Sequence, residues 1–148
     1  MERSPFTHQT LIIGSNYNTC IFFHSNIFIV SMNVFVNDNM FKVRVCVSPE
    51  TIQKGMMGQK FNSDFNGMLF MMGNNEEQSF WMKNCIIPLD IVFINDDMTI
   101  QSIQKNCPPC SSNDCEHYPG NGKYVLELAG GTCEECGIEN GQKIKISY

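Results

Sequence analysis

Clustered positive charge is missing from this chain. Ten Lys and Arg residues face fifteen Asp and Glu, for a formal net charge of −5, and no basic run occurs. Binding to nucleic acid rests on grouped cations that neutralise phosphates, so no nucleic-acid partner is expected. Long hydrophobic runs are missing as well. No stretch reaches the roughly 18 consecutive apolar residues of a membrane-spanning helix, so no integral membrane segment is expected. Histidine is scarce: of three, His8 and His24 fall near the start, and His117 carries no nucleophile-elbow or triad motif with any serine. Internal repeats and low-complexity segments are also absent.

What remains is an ordinary globular composition. With 148 residues, 43% hydrophobic and 17% charged, the chain can bury a core without help from metal or disulfides. Residues 1–31 differ from the rest. Their apolar patches are broken by Asn16, Asn18, His24, Ser25 and Asn26, and Arg3 is offset by Glu2. That makes a poor export signal and suggests a weakly ordered extension, or a start mis-assigned upstream of Met32. Residues 32–148 are expected to form a single β domain. The compartment stays open.

From Val34 the pattern is one of short strands and turns. "NVFV" and "MFKVRVCV" flank Asn37-Asp38-Asn39, and Val43, Val45 and Val47 alternate with Lys42, Arg44 and Cys46, which predicts a hairpin. "SPETIQKGMMG" predicts a short helix, capped by Ser48, opened by Pro49 and ended by Gly58. Strands follow at 67–72, 79–84, 88–94, 98–105 and 123–128. A short helix at 131–137 precedes the closing strand "QKIKISY". Strands at this spacing argue for a sandwich or small barrel.

The blocks Gly55-Met56-Met57-Gly58, Gly67-Met68-Leu69-Phe70, Phe80-Trp81-Met82-Lys83-Asn84 and Pro88-Leu89-Asp90-Ile91 stand in order. With "YVLELAGGTCEECGIENGQKI" they make residues 34–148 resemble the bacterial, archaeal and phage family called domain of unknown function 192. The resemblance implies a mainly β fold, a compact distorted jelly-roll or barrel-like sandwich with one or two short helices. It permits export and brings no established reaction. Sixteen asparagines fit an AT-rich coding source such as a phage or other virus.

Two groups of residues invite a functional reading. Trp81, Lys83, Asn84 and Asp90 form the first, as a candidate ligand site. Trp81 offers a flat apolar surface, and Lys83 with Asp90 would form an ion pair able to shift pKa values enough for proton transfer. The competing reading gives Asp90 a structural role in an apolar strand, satisfied by hydrogen bonds or by Lys83. Asn84, before a proline-containing bend, would likewise serve local backbone groups.

The cysteines form the second. Cys107 and Cys110, then Cys133 and Cys136, make two Cys-x-x-Cys pairs with 22 residues between them, longer than the roughly 15–20 of a four-thiolate zinc site. A redox reading lacks its strand–helix setting, and Cys133 and Cys136 also read as small buried hydrophobes on one helix face. The resemblance points elsewhere for Cys110. "PPCSSNDCEHY" is similar to a loop in one branch of the family that carries two cysteines at the positions of Cys110 and Cys115, implying a disulfide there. Ten methionines are read as core filler.

The expectation is therefore a non-catalytic β domain binding a protein or small-molecule partner, with no cofactor. A zinc-stabilised protein using Cys107, Cys110, Cys133 and Cys136 is the first alternative. An enzyme using Lys83 and Asp90 is the second.

Overall fold

A computed structural model describes residues 30–148. The expected extension at 1–31 lies outside the described residues, apart from Val30 and Ser31. Those two already belong to β1 (Val30–Val36), which pairs antiparallel with β2 (Asn39–Cys46). Asn37 turns the hairpin in the left-handed region (φ 53°), which asparagine adopts at little cost. Val34, Val36, Phe41, Val43 and Val45 are buried, as the alternation requires.

Helix α1 (Pro49–Lys54) starts as its sequence dictates. The Ser48 hydroxyl accepts from the Thr51 N–H, and the Ser48 N–H donates to Thr51 Oγ1, which closes a capping box. This segment is the crossover that lets β3 (Gly67–Met71) run parallel to β2. The chain continues through β4 (Glu77–Trp81), β5 (Leu89–Ile94), β6 (Ile100–Cys107), β7 (His117–Asn121) and β8 (Tyr124–Ala129). Helix α2 (Thr132–Glu135) and β9 (Ile144–Ser147) complete it.

Seven strands form one sheet in the order β6-β5-β8-β3-β2-β1-β9. The sheet curls until its two edges touch at one end. There the Ile100 N–H donates to the Gln142 carbonyl (2.9 Å), the Ile144 N–H donates to the Met98 carbonyl (2.9 Å), and Thr99 bridges Lys143. One hydrophobic cluster draws on all seven strands, including Val34, Val43, Leu69, Val92, Ile100, Leu126 and Ile144, and so fills the concave side. A second cluster, with Met68, Phe70, Ile91, Phe93 and Val125, lies on the convex side.

A two-stranded ribbon, β4 with β7, covers the convex side. Phe80 packs edge-on to Phe70 (5.1 Å between centroids) and to Phe93 (5.9 Å). Gly120 lets the backbone approach closely, because a Cβ there would lie 2.4 Å from the Phe93 ring. The mainly β, barrel-like sandwich is thus what the chain forms. Its layers are seven strands against two, rather than the paired sheets of a jelly roll. Strand β7 was not expected. Its Pro119 and Gly120 read as loop residues, yet a two-strand ribbon has outer edges where proline is tolerated.

Candidate functional site

The ribbon does not cover the whole convex face. Between α1, with the turn after it, and β4 there is an open cleft of about 170 Å³. Ile52, Met56 and Met57 form one wall, Phe80, Trp81 and Lys83 the other, and Phe70, Cys85 and Glu127 lie within it. Two backbone contacts hold the walls in place. The Gly58 N–H donates to the Asn84 carbonyl (2.9 Å), and the Asn84 N–H donates to the Cys110 carbonyl (2.7 Å).

Glu127 is the chemically distinctive residue of the cleft. It sits in β8 opposite Met68 of β3 and Ile91 of β5, both in the convex cluster, and cross-strand partners share a face. It is 4% exposed, and its Oε2 is buried with no hydrogen-bond partner. Burial pushes its carboxyl from 4.5 up to about 8, because no opposite charge offsets the desolvation of the ionised form. The neighbouring thiols show the same influence. Burial, then Glu127, raises Cys46 to about 12 and Cys85 to about 11, so both stay neutral. Glu127 was overlooked in the sequence, although a glutamate between Leu126 and Leu128 is as conspicuous as Asp90 beside Leu89 and Ile91.

Asp90 lies on the opposite face. It is fully buried, and its carboxylate accepts three backbone N–H bonds. Asn106 and Gly131 donate to Oδ1 (2.8 and 3.2 Å), and Cys133 donates to Oδ2 (2.8 Å). Gly131, the residue before α2, has no side chain to cap the helix, and Asp90 supplies that cap from β5. The expected Lys83–Asp90 pair is therefore not formed. Lys83 Nζ donates instead to the Ser112 carbonyl and to Asn113 Oδ1 (3.1 Å). Asp90 takes no part in the cleft, and the enzyme reading loses the pair it was built on.

Of the other two expected ligand residues, Trp81 lines the cleft and Asn84 does not. Trp81, 39% exposed, stands at its edge with its ring tilted against His117 (5.8 Å). His117 Nδ1 in turn lies 3.0 Å from Ser79 Oγ. Asn84 contributes through its backbone, held at φ 56°.

The cysteines divide between the faces. Cys110 and Cys115 form a disulfide with Cα atoms 5.9 Å apart. Its loop is pinned to the cleft wall, where the Cys110 N–H donates to the Met82 carbonyl (3.1 Å). Cys107 is buried in the convex cluster, whereas Cys133 belongs to the concave cluster and Cys136 packs against it. The sheet thus separates the two Cys-x-x-Cys pairs, and the four sulfurs of the zinc alternative do not meet. Among the described residues no three His, Cys, Asp or Glu side chains are grouped to hold a metal ion.

Residues 32–146 match the family domain of unknown function 192, described as Uncharacterized ACR. No curated protein sequence matches the chain significantly. Two bacterial crystal structures are similar to it. A protein of unknown function from Novosphingobium aromaticivorans DSM 12444 aligns with a TM-score of 0.72 and 28% identity, over 87% of this chain and 93% of that one. A protein from Sinorhizobium meliloti 1021, described as a candidate transcription regulator, aligns with a TM-score of 0.69 and 29% identity, over 82% and 97%. The chain belongs to the domain of unknown function 192 family.

Proposed function

We propose that this chain, as a member of that family, is a non-catalytic binding domain whose ligand or partner enters the cleft between α1 and β4. One observation carries the reading: a glutamate buried in the cleft has a carboxyl oxygen without a partner. Leaving a buried polar atom unpaired costs about 1–3 kcal/mol, and a bound group that satisfies it recovers that cost. The setting supports the same conclusion, since apolar and aromatic walls around a few polar groups make up a typical ligand site. Trp81 and Lys83 stand at its rim, and the segment around Asn84 joins its two walls. The volume suits an occupant the size of a side chain or a single ring.

The Sinorhizobium relative suggests a second reading, in which occupation of the cleft is sensed and passed to a regulatory partner. Its support here is the cleft itself. Direct contact with nucleic acid is disfavoured by the net charge of −5 and the scattered basic residues.

A fragment screen by amide NMR on the full chain tests the binding reading. Hits should shift resonances around Gly55–Met57 and Phe80–Cys85 and alter Trp81 fluorescence. Hits that cluster elsewhere, or no hits at all, would reject it.

A further inference from the structure

We infer that the group received by this cleft is a protonated amine on a short apolar stem, with its ammonium seated against Glu127. The inference rests on the binding reading above and gives that ligand a chemical class.

Charge complementarity carries the argument. Buried carboxylates are normally paired with a cation or with several N–H donors. Glu127 has neither: its Oε2 lacks a partner, and the side chain is 4% exposed. Among the described residues the protein's own cations do not supply the missing charge. Lys83 is turned into the cysteine loop, where Ser112 and Asn113 hold its Nζ. Lys54 is exposed at the end of α1, where solvent screens it. Arg44, on the same sheet face two strands away, is held over the Phe65 ring (3.7 Å) and donates to Gln59 Oε1 (3.2 Å). The buried thiols Cys46, Cys85 and Cys107 are neutral in the physiological range and bring no positive charge.

The walls favour the same ligand. Phe70, Phe80 and Trp81 line the cleft, and aromatic faces attract an ammonium while accommodating an alkyl stem. An anionic ligand would meet a carboxyl with no cation behind it. A neutral alcohol would satisfy the oxygen without stabilising the ionised form of the carboxyl.

The chemistry sets a proton signature. Glu127 holds its proton up to about pH 8, so an ammonium that binds at pH 6 or 7 must displace that proton to bulk buffer. Affinity for butylammonium should then rise about tenfold per pH unit from pH 6 to 7 and level off above pH 8. About one proton should be released per ligand bound.

The experiment is calorimetry on the full chain with butylammonium, butan-1-ol and butyrate, in buffers of different ionisation enthalpy. Expected are a preference for butylammonium, the proton release just described, and loss of both in Glu127→Gln. The wild-type pH series stands by itself if that variant folds poorly. Equal binding of butylammonium and butan-1-ol, or tighter binding of butyrate, overturns the ammonium assignment but leaves the cleft as a binding site. Failure of all three probes to bind overturns the binding reading along with it. N-acetyl-lysine amide distinguishes the two sources of such an amine. Tighter binding than butylammonium assigns the group to a lysine side chain of a partner protein, equal binding to a free small amine, and either result supports the class.

Discussion

Two carboxylates lie in neighbouring central strands of one sheet, both buried, and their settings differ. Asp90 in β5 faces the concave core and is held by three backbone N–H groups. Glu127 in β8 faces the convex side with an unpartnered oxygen at an open cleft. Both interrupt an apolar strand in the same way. Burial alone therefore says little about role, and the partners of each carboxylate decide it. Asp90 completes a helix end and ties α2 to the sheet, whereas Glu127 stays unsatisfied beside a space that another molecule can fill.

The largest effect should come from breaking the satisfied member. Asp90→Ala leaves the N–H groups of Asn106, Gly131 and Cys133 without an acceptor inside the protein. Chemical denaturation should show a loss of roughly 3–5 kcal/mol, and α2 should be the first element to lose hydrogen-exchange protection. A loss under about 1 kcal/mol would mean that water replaces the carboxylate and that the contrast between the two sites is wrong.

Glu127 should behave in the opposite sense, and pH exposes it. Its folded-state value of about 8 lies above the ordinary 4.5. Between those limits the native state holds a proton that the unfolded chain has lost. Its contribution is complete below about pH 4.5 and drains away as pH rises through 8, by up to about 1.4 kcal/mol per unit. Urea midpoints measured from pH 5 to 8 should fall in wild type. In Glu127→Gln the slope should flatten, and the variant should be the more stable protein at pH 8. A pH-independent midpoint in wild type would mean that Glu127 finds a partner in solution.

A smaller effect separates the cysteine loop from both carboxylates. Opening the Cys110–Cys115 link with reductant, or by Cys115→Ser, should cost no more than roughly 2 kcal/mol, because so short a loop restricts the unfolded chain little. The pH slope owed to Glu127 should persist unchanged. Its disappearance would show that the loop holds the cleft in shape.

Much of this arrangement was legible in the residues. The period-two alternation around Val43 and Val45 placed the hairpin, and the Ser48–Pro49 start placed α1. The family resemblance anticipated the Cys110–Cys115 pair. Strand β7 was hidden because "HYPGN" contains the two residues that most oppose a strand, and only the ring of Phe93 beneath explains Gly120. The pairing of Lys83 with Asp90 was misread for a related reason. Seven positions apart in sequence, they lie on opposite sides of a bend and of a sheet, and strand parity alone cannot show which carboxylate faces which cation. Parity also makes Asp90 and Glu127 look alike, since the donors that distinguish them come from segments 16 to 43 residues away from Asp90.

The meeting of β9 with both β1 and the start of β6 sets the order of events as the chain is made. Val34 awaits Ile146 and Met98 awaits Ile144, so the half-barrel cannot close until the last strand has been synthesised. Until then the concave apolar surface is open to other chains, the condition under which chaperones are recruited and aggregation starts. A stop codon before Ile144 would remove four residues of strand and leave both edges of the sheet unpaired, so its cost should appear as lost yield in the cell before any change in ligand binding can be measured.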